Sequence, residues 1–307
     1  AILWLNNTSL LADGNGRPML IAHRGLAHEM DPEHEDYRAC LSRVHGADHR
    51  FIENTIPSIE AAFDLGATFV EIDVRTTADG QFAVFHDDVL DCKTDATGFV
   101  VHHTMEELRR LDVGYGYVTR DGGHPLRGLG VGMMPTLEEV LDGFPTRSFI
   151  INVKDNLGPQ AEAFAQLLEL RATSDVRQLL VFGSGDAVSA IRNVSPTLVV
   201  ASRQSVQRCV TGYMLVGWSG YVPDSCRNTV TGMYADYAWV LWGWPHRFVE
   251  RMEQAGTVVI LTHPRQTESI HDLPETLDYA RMIPVGYSGA VVTNRIDKIE
   301  EWMSDAR

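Results

Sequence analysis

The 307-residue sequence lacks any apolar run long enough to form a complete transmembrane helix. It is also short of positive charge, because 26 Lys and Arg stand against 41 Asp and Glu and give a formal net charge of −15. Nucleic acids and anionic lipid surfaces are bound by clustered Lys and Arg, so neither is an expected partner. Hydrophobic residues make up 44% of the chain, which predicts a packed globular core.

Cysteine is scarce, and no Cys-x-x-Cys pair is present, which disfavours a zinc knuckle. Cys209 and Cys226 are close enough in sequence to close a short loop. Cys40 and Cys92 fall in two loops that we predict on one rim of the domain. The alternatives are two disulfides, as in exported proteins, or four buried thiols; the sequence favours the disulfides.

The chain begins without Met, and its apolar residues 1–5 run into polar Asn6, Asn7 and Thr8. This pattern is typical of a chain trimmed after a signal peptide or membrane anchor. It is equally typical of an N-terminal arm packed on a domain, here residues 1–17 before a domain of residues 18–307. We expect an exported or periplasmic protein, or one anchored facing outward, with a cytoplasmic location as the alternative.

Short apolar runs alternate with amphipathic helical patterns along the chain, and no repeat or linker divides it. Strands are predicted at residues 19–22, 69–74, 82–85, 149–153, 179–182, 197–200, 221–222, 258–261 and 290–292. Helices are predicted at residues 58–65, 161–170, 186–193 and 247–254, with further helices starting at residues 137 and 297. Roughly eight strands with helices between them predict a single TIM-like (β/α)₈ barrel.

Side chains suited to catalysis lie at the ends of four predicted strands, where the active sites of such barrels form. They are His23 and Arg24, Glu71 and Asp73, His86, and Asn152 and Lys154. Glu71 and Asp73 are two residues apart, so both point to one face of their strand, and the same holds for Asn152 and Lys154.

Two carboxylates inside a buried strand cost several kcal/mol unless a cation or hydrogen bonds compensate them. Oxygen ligands of this kind suit one divalent cation, Mg²⁺ or Ca²⁺. The alternative is a structural salt bridge to Arg24, Arg75 or Lys154.

The two histidines suit general acid–base chemistry, because His titrates near neutral pH. Arg24 and Lys154 add positive charge where a phosphodiester would bind. Acid, base, cation and phosphate clamp together indicate phosphoryl-transfer chemistry.

An ordered series of motifs resembles the glycerophosphodiester phosphodiesterase (GDPD) family. The series is His23-Arg24-Gly25, Glu53-Asn54-Thr55, Glu71-Ile72-Asp73-Val74, Phe85-His86-Asp87-Asp88 and Pro135-Thr136-Leu137-Glu138-Glu139. The resemblance is strong over residues 18–155 and weak beyond them.

The resemblance implies a barrel enzyme that hydrolyses a glycerophosphodiester to glycerol 3-phosphate and an alcohol with one divalent cation. His23 and His86 would be the acid–base pair, and Arg24 and Lys154 would hold the phosphate. Glu71 and Asp73 would ligate the metal. Glu53 would be a further ligand or an orienting group. The family's first step is attack by the substrate's own neighbouring hydroxyl, which gives a cyclic phosphate that water opens.

Two departures from the family pattern stand out. Asn152 occupies the position where the family commonly has a glutamate ligand, so we expect it to ligate through its amide oxygen and the metal to bind more weakly. An insertion at about residues 26–52 is acidic and rich in His. We interpret it as a substrate-selecting lid, with an inert surface insertion as the alternative.

Trp239, Trp242 and Trp244 lie close together in sequence. The simplest interpretation is that they pack in the core or at the rim. The functional alternatives are an aromatic wall that receives substrate, with Trp242 in contact with it, or an edge that faces a membrane. Three hypotheses on function therefore remain: a glycerophosphodiester phosphodiesterase, the same chemistry on a sugar phosphodiester or lysophospholipid, and a non-catalytic barrel that binds phosphorylated ligands.

Overall fold

The computed structural model describes residues 6–9, 14–28, 42–44, 48–172, 177–264 and 277–306. Its strands are β1 (Met19–His23), β2 (Ser42–Val44), β3 (Phe69–Thr76), β4 (Phe82–Val84), β5 (Tyr117–Thr119), β6 (Ser148–Val153), β7 (Leu179–Gly183), β8 (Val199–Ser202), β9 (Val230–Tyr234), β10 (Val258–Thr262) and β11 (Ala290–Thr293). Its α-helices are α1 (Ile56–Asp64), α2 (Met105–Leu108), α3 (Leu137–Gly143), α4 (Ala161–Arg171), α5 (Gly185–Val194), α6 (Arg203–Val216), α7 (His246–Gln254), α8 (Leu277–Met282) and α9 (Ile299–Asp305).

Eight parallel strands form a nearly closed barrel in the order β8-β7-β6-β3-β1-β11-β10-β9. The seam lies between β8 and β9, where the Thr229 hydroxyl donates to the Val200 carbonyl over 3.2 Å. The predicted TIM-like barrel is therefore confirmed. No helix within the described ranges is both long and apolar enough to cross a membrane.

Strand register places the chemically important residues at one level of the barrel. His23 is paired with Glu71 across β1 and β3, and Asp73 is paired with Asn152 across β3 and β6. Because parallel strands end at one rim, these pairings gather the four residues at the C-terminal end of the barrel.

The hydrophobic core has two layers that follow the alternation of side chains along each strand. Ile21, Phe69 and Leu180 belong to the cluster that fills the barrel. Leu20 and Val70, their neighbours in sequence, belong to the larger cluster between strands and helices. A third cluster, which includes Phe85, Leu108 and Leu126, forms the core of the segment between β4 and α3.

The insertion after β1 contributes β2, which pairs in parallel with β5. Its residues 29–41 and 45–47, which hold most of the predicted lid, lie outside the described residues. The lid therefore stays a prediction, as does the arm of residues 1–17.

The strand predicted at residues 82–85 is confirmed as β4, but it pairs antiparallel with β3 as a hairpin and is not one of the eight barrel strands. One strand prediction was wrong. Residues 221–222 form no strand, and the barrel strand is instead β9, whose Thr and Gly interrupt the apolar pattern. Helix α6 was not predicted, since only Cys209 and Tyr213 of its 14 residues are buried and its apolar stripe is narrow.

Cys209 in α6 and Cys226 form the predicted disulfide across a sequence separation of 17. Cys92 is disulfide-bonded as well, and its predicted partner Cys40 lies outside the described residues. The Cys209–Cys226 bond ties the exposed helix α6 to the chain that leads into β9.

Replacing both Cys209 and Cys226 with Ala should lower the free energy of unfolding by about 3 kcal/mol, because the unfolded chain regains the freedom of a loop of this length. Urea unfolding of the variant beside the parent chain measures the difference. An unchanged unfolding midpoint would show that this crosslink adds no stability.

Candidate active site

Asp73 is the centre of a buried charge cluster at the C-terminal rim and has no exposed surface. Its Oδ1 lies 2.9 Å from Lys154 Nζ and accepts from Asn152 Nδ2 over 3.3 Å. Its Oδ2 lies 3.1 Å from Arg24 Nε and accepts from Asn54 Nδ2 over 3.0 Å. These donors, Arg24 first among them, hold the pKa of Asp73 well below its ordinary value despite the burial. Asp73 is therefore a fixed negative charge that orients both predicted phosphate-binding cations.

Arg24 reaches this position through an unusual backbone turn after β1. Its φ is +59°, and the next residue, Gly25, has a φ of +83°. A side chain at Gly25 would place its Cβ only 2.6 Å from the Ser58 hydroxyl, so glycine is required by space as well as by conformation. Arg24 also donates its backbone N–H to Glu71 Oε2 over 3.2 Å. The His-Arg-Gly motif thus encodes a turn that docks the guanidinium against β3.

Glu53 lies between two buried cations. Its Oε1 is 2.9 Å from Arg24 NH1 and 2.6 Å from Lys93 Nζ. Although burial alone would raise it, Arg24 and Lys93 hold the pKa of Glu53 below its usual range. The stabilisation from this carboxylate is therefore present near neutral pH and is lost as acid protonates it. The ion pairs fit the orienting role that was one of the two predicted for Glu53.

Glu71 is the least compensated carboxylate of the cluster. Burial, and then the neighbouring charge of Asp73, raise the pKa of Glu71 to about 8. Its Oε2 accepts from the Arg24 backbone and lies 3.8 Å from His23 Nε2. The charged form of Glu71 is therefore disfavoured beside Asp73 unless a further cation accompanies it.

His23 is buried at the end of β1, and its Nδ1 lies 2.6 Å from Asn294 Oδ1. Since the amide oxygen can only accept, the ring donates from Nδ1, and its Nε2 lies 3.8 Å from Glu71 Oε2. Burial, with Arg24 next, lowers the pKa of His23 to about 3. The imidazole is therefore neutral near pH 7.

His86 follows β4 and lies 2.6 Å from Asp87 through its Nδ1. Burial and Arg24 lower its pKa, while Asp73 and Asp87 favour the protonated ring. The Arg75 guanidinium donates to the His86 carbonyl over 2.8 Å and to Asp155 over 2.8 Å. Arg75 and Asp155 thus fix the backbone of His86 against the ends of β3 and β6.

The structure brings nearly all the predicted site residues together at one rim. They are His23, Arg24, Glu53, Glu71, Asp73, His86, Asn152 and Lys154. Their catalytic and binding roles stay predictions.

Trp242 lies elsewhere in the structure. Its Nε1 donates to the Met214 carbonyl in the last turn of α6, and its own carbonyl accepts from the Tyr213 hydroxyl. Helix α6 leads away from the rim, so these contacts give no support to the predicted substrate contact.

Sequence reasoning missed several residues that shape the site. Asn294 follows the last strand at the same rim, so the strand-end rule that found His23 would have found it. Lys93 had no such signal, because it lies in the segment after His86 and is buried only by the tertiary fold. Asn54 was quoted as part of a motif, and its two hydrogen bonds to Asp73 emerge only from the structure.

Comparison with known proteins decides the family. The model of the glycerophosphoryl diester phosphodiesterase family matches residues 23–211, which is more than half of the chain. The chain belongs to this family.

Curated relatives match over shorter segments. A glycerophosphodiester phosphodiesterase of Caldanaerobacter subterraneus is 34% identical over 116 residues, which is 38% of this chain and 44% of that protein. One from Bacillus subtilis is 39% identical over 102 residues, 32% of this chain and 34% of that protein. The aligned chain thus spans less than half the length of these relatives.

Solved structures of the family share the fold. A glycerophosphoryl diester phosphodiesterase domain from Mycobacterium tuberculosis aligns with a TM-score of 0.65 and 20% identity, over 93% of this chain and 99% of that one. An Oleispira antarctica phosphodiesterase, in complex with the product sn-glycerol-3-phosphate, aligns with a TM-score of 0.60 and 19% identity, over 94% and 97%.

The family implies a divalent cation. The predicted ligands Glu71, Asp73 and Asn152 have the chemistry to bind one, whereas Glu53 is held by other groups. Glu71, Asp73 and the Asn152 amide offer oxygen atoms, and the raised pKa of Glu71 shows that its charged form lacks a compensating cation. Both Asp73 oxygens already contact Lys154 or Arg24. The Glu53 oxygen Oε1 is already held by Arg24 and Lys93. Among the described residues, no group of three His, Cys, Asp or Glu is arranged to hold a metal.

Changing Lys93 to Met should lower the free energy of unfolding by about 3 kcal/mol or more, because Glu53 loses one of its two buried partners. Equilibrium unfolding in urea at neutral pH measures the loss.

The matched control is Arg109→Met, which removes the ion pair between Arg109 and Glu139. The side chains of this pair are 45% and 41% exposed, respectively. That change should cost less than about 1 kcal/mol. Equal losses in the two variants would contradict a special role for the buried Lys93–Glu53 pair.

Proposed function

We propose that this chain hydrolyses a glycerophosphodiester to glycerol 3-phosphate and an alcohol. The observation that carries the proposal is one rim that combines two histidines with two cations held by a single buried carboxylate. Phosphodiester cleavage needs a base, an acid and positive charge for the phosphoryl oxygens, and these residues can supply all three. Membership of the GDPD family supports the same reaction.

His23 is the base of the proposed first step. Its bond to Asn294 orients the ring, and the lowered pKa leaves Nε2 unprotonated. The substrate hydroxyl next to the ester gives its proton to this nitrogen as its oxygen bonds to phosphorus.

His86 is the proposed acid of that step. Burial and Arg24 lower its pKa, and the Asp87 carboxylate, at 2.6 Å from Nδ1, acts against them by favouring the protonated ring. As the bond between phosphorus and the leaving oxygen breaks, the ring gives its Nε2 proton to the departing alcohol. Water then opens the cyclic phosphate with the two roles exchanged.

Arg24 and Lys154 are the proposed phosphate ligands. Both are tethered to Asp73, so their positions are set before substrate arrives and little is lost in ordering them. Glu71 and Asp73, with the Asn152 amide oxygen, would hold one Mg²⁺ or Ca²⁺. Such a cation would supply charge stabilisation at the phosphoryl oxygens.

Two other functions are alternatives to this proposal. A sugar phosphodiester or a lysophospholipid would use the same residues with a different alcohol. A non-catalytic barrel that binds phosphorylated ligands would keep Arg24 and Lys154 and has no need of the ordered His23–Asn294 and His86–Asp87 pairs. The presence of these two pairs therefore favours a catalytic barrel over a non-catalytic one.

We further propose that the protein is exported. The Cys209–Cys226 disulfide and the disulfide-bonded Cys92 support an oxidising compartment, since such bonds are rare in the cytosol. The alternative is a cytoplasmic protein, whose thiols would be reduced. A non-reducing mass measurement on protein from the native source decides between them.

Glycerol 3-phosphate should be released from glycerophosphocholine and glycerophosphoethanolamine with Mg²⁺ or Ca²⁺ and not with EDTA. His23→Ala and His86→Ala should each lower kcat by about 100-fold or more, because each removes a proton-transfer group. An enzyme-coupled glycerol 3-phosphate assay measures both effects. Absence of turnover on these substrates and on an aryl phosphodiester, with either metal, would overturn the enzyme in favour of the binding barrel.

Asn152→Glu should tighten binding of Mg²⁺ or Ca²⁺ about tenfold, since cation affinity follows the number of charged ligands. Calorimetric titration of the metal measures this independently of turnover. Asn152→Gln, which changes the length without the charge, is the control and should show no gain. If both variants bind the cation as the parent does, Asn152 does not face the metal.

A further inference from the structure

Exposed aromatic and large apolar residues are concentrated on one part of the molecule. Of the 19 large hydrophobic residues that are exposed in the described ranges, eight lie between residues 214 and 242. We define the aromatic surface as Met214, Leu215, Trp218, Tyr221 and Trp242, which are between 42% and 75% exposed. Exposed apolar residues grouped in this way mark a surface that binds a protein or a membrane.

These residues are neighbours in the fold as well as in sequence. The indole of Trp242 donates to the Met214 carbonyl over 2.9 Å. The Trp218 carbonyl accepts from the Asn7 side-chain amide over 2.8 Å and from that of Asn6 over 3.2 Å, so these two residues lie against the same surface. Arg251 also donates to the carbonyls of Asn6 and Gly217 and fixes the arm there. In the sequence, the apolar residues 1–5 directly precede this anchor point.

The same part of the chain has few acidic residues, although the whole protein is strongly acidic. Residues 187–249 hold only Asp224, whose side chain is 90% exposed, and Asp236. Residues 187–223 contain Arg192, Arg203 and Arg208 and no Asp or Glu. Residues 237–249 likewise contain His246 and Arg247 and no Asp or Glu. At the chain average of 41 acids in 307 residues, these 50 residues would hold six or seven.

Helix α6 presents this composition to solvent. Arg208 and Leu215 are seven residues apart and so share one face of the helix, and both are exposed. Trp218 follows in the 3₁₀ turn Gly217–Ser219. The helix therefore offers a guanidinium and an aliphatic side chain on one face, and an exposed indole follows three residues after Leu215.

We propose that the aromatic surface docks on the surface of a phospholipid membrane. Trp and Tyr favour the boundary between water and acyl chains, where the ring is apolar and its polar edge stays hydrated. The arginine on the same helix face suits lipid phosphates, and the scarcity of carboxylates reduces the repulsion that the rest of this acidic chain would meet.

The topology sets how the docked molecule would face. Helix α6 follows β8 and leads from the catalytic rim towards the opposite end of the barrel, so its last turn and Trp218 lie away from the rim. In the docked protein the catalytic rim would face away from this membrane. The proposal therefore concerns location rather than catalysis and is independent of the proposed reaction.

The test is co-sedimentation of this chain with phosphatidylcholine vesicles. The parent chain should pellet with the vesicles, and the double variant Leu215→Ser/Trp218→Ser should bind at least about tenfold more weakly, because it loses two exposed apolar side chains. Both proteins carry the same residues 1–5, so any binding by that segment is common to them. Leu170→Ser, at a residue on α4 that is 81% exposed, is the matched control and should bind as the parent does.

Glycerol 3-phosphate release from a water-soluble substrate is measured on the same samples and should be equal in all three proteins. Failure of the parent chain to bind vesicles, or equal binding by the double variant, would overturn the proposal. Vesicle binding lost to the same extent in Leu170→Ser would assign it to general surface hydrophobicity and would also overturn it.

Discussion

The candidate site depends on one buried carboxylate. Asp73 has no contact with solvent, so its charge must be met by donors from the protein. Those donors are Arg24 in the turn after β1, Asn54 in the loop before α1 and Lys154 at the end of β6. Meeting the charge of Asp73 therefore also assembles three separate segments at one rim.

The two other carboxylates of the cluster show how position decides role. Glu53 is held between Arg24 and Lys93, and its charge is fully met within the protein. Glu71 faces Asp73 without a cation of its own, and its pKa rises to about 8. The same residue type is thus held in its charged form in one place, and in the other is left as the carboxylate that we propose as a contact for a divalent cation.

The barrel and most of the site could be predicted from the sequence because both follow short-range rules. Strand ends converge at one rim, and alternate residues share a face, so sequence position alone groups His23, Glu71, Asp73 and Asn152. The errors arose where local pattern is weak. Strand β9 carries Thr and Gly in place of an apolar run, and β4 reads as a barrel strand although it forms a hairpin. The partners of Glu53 and His23 could not be predicted, because Lys93 and Asn294 reach them over 40 and 271 residues of sequence.

The most direct test of this account is a crystal structure of the protein with Mn²⁺ and glycerol 3-phosphate, using the anomalous signal of manganese to place the ion. We expect the ion at Glu71 and Asp73, with the phosphate in contact with Arg24 and Lys154 and between His23 and His86. An ion or a phosphate bound away from the Asp73 cluster would contradict it.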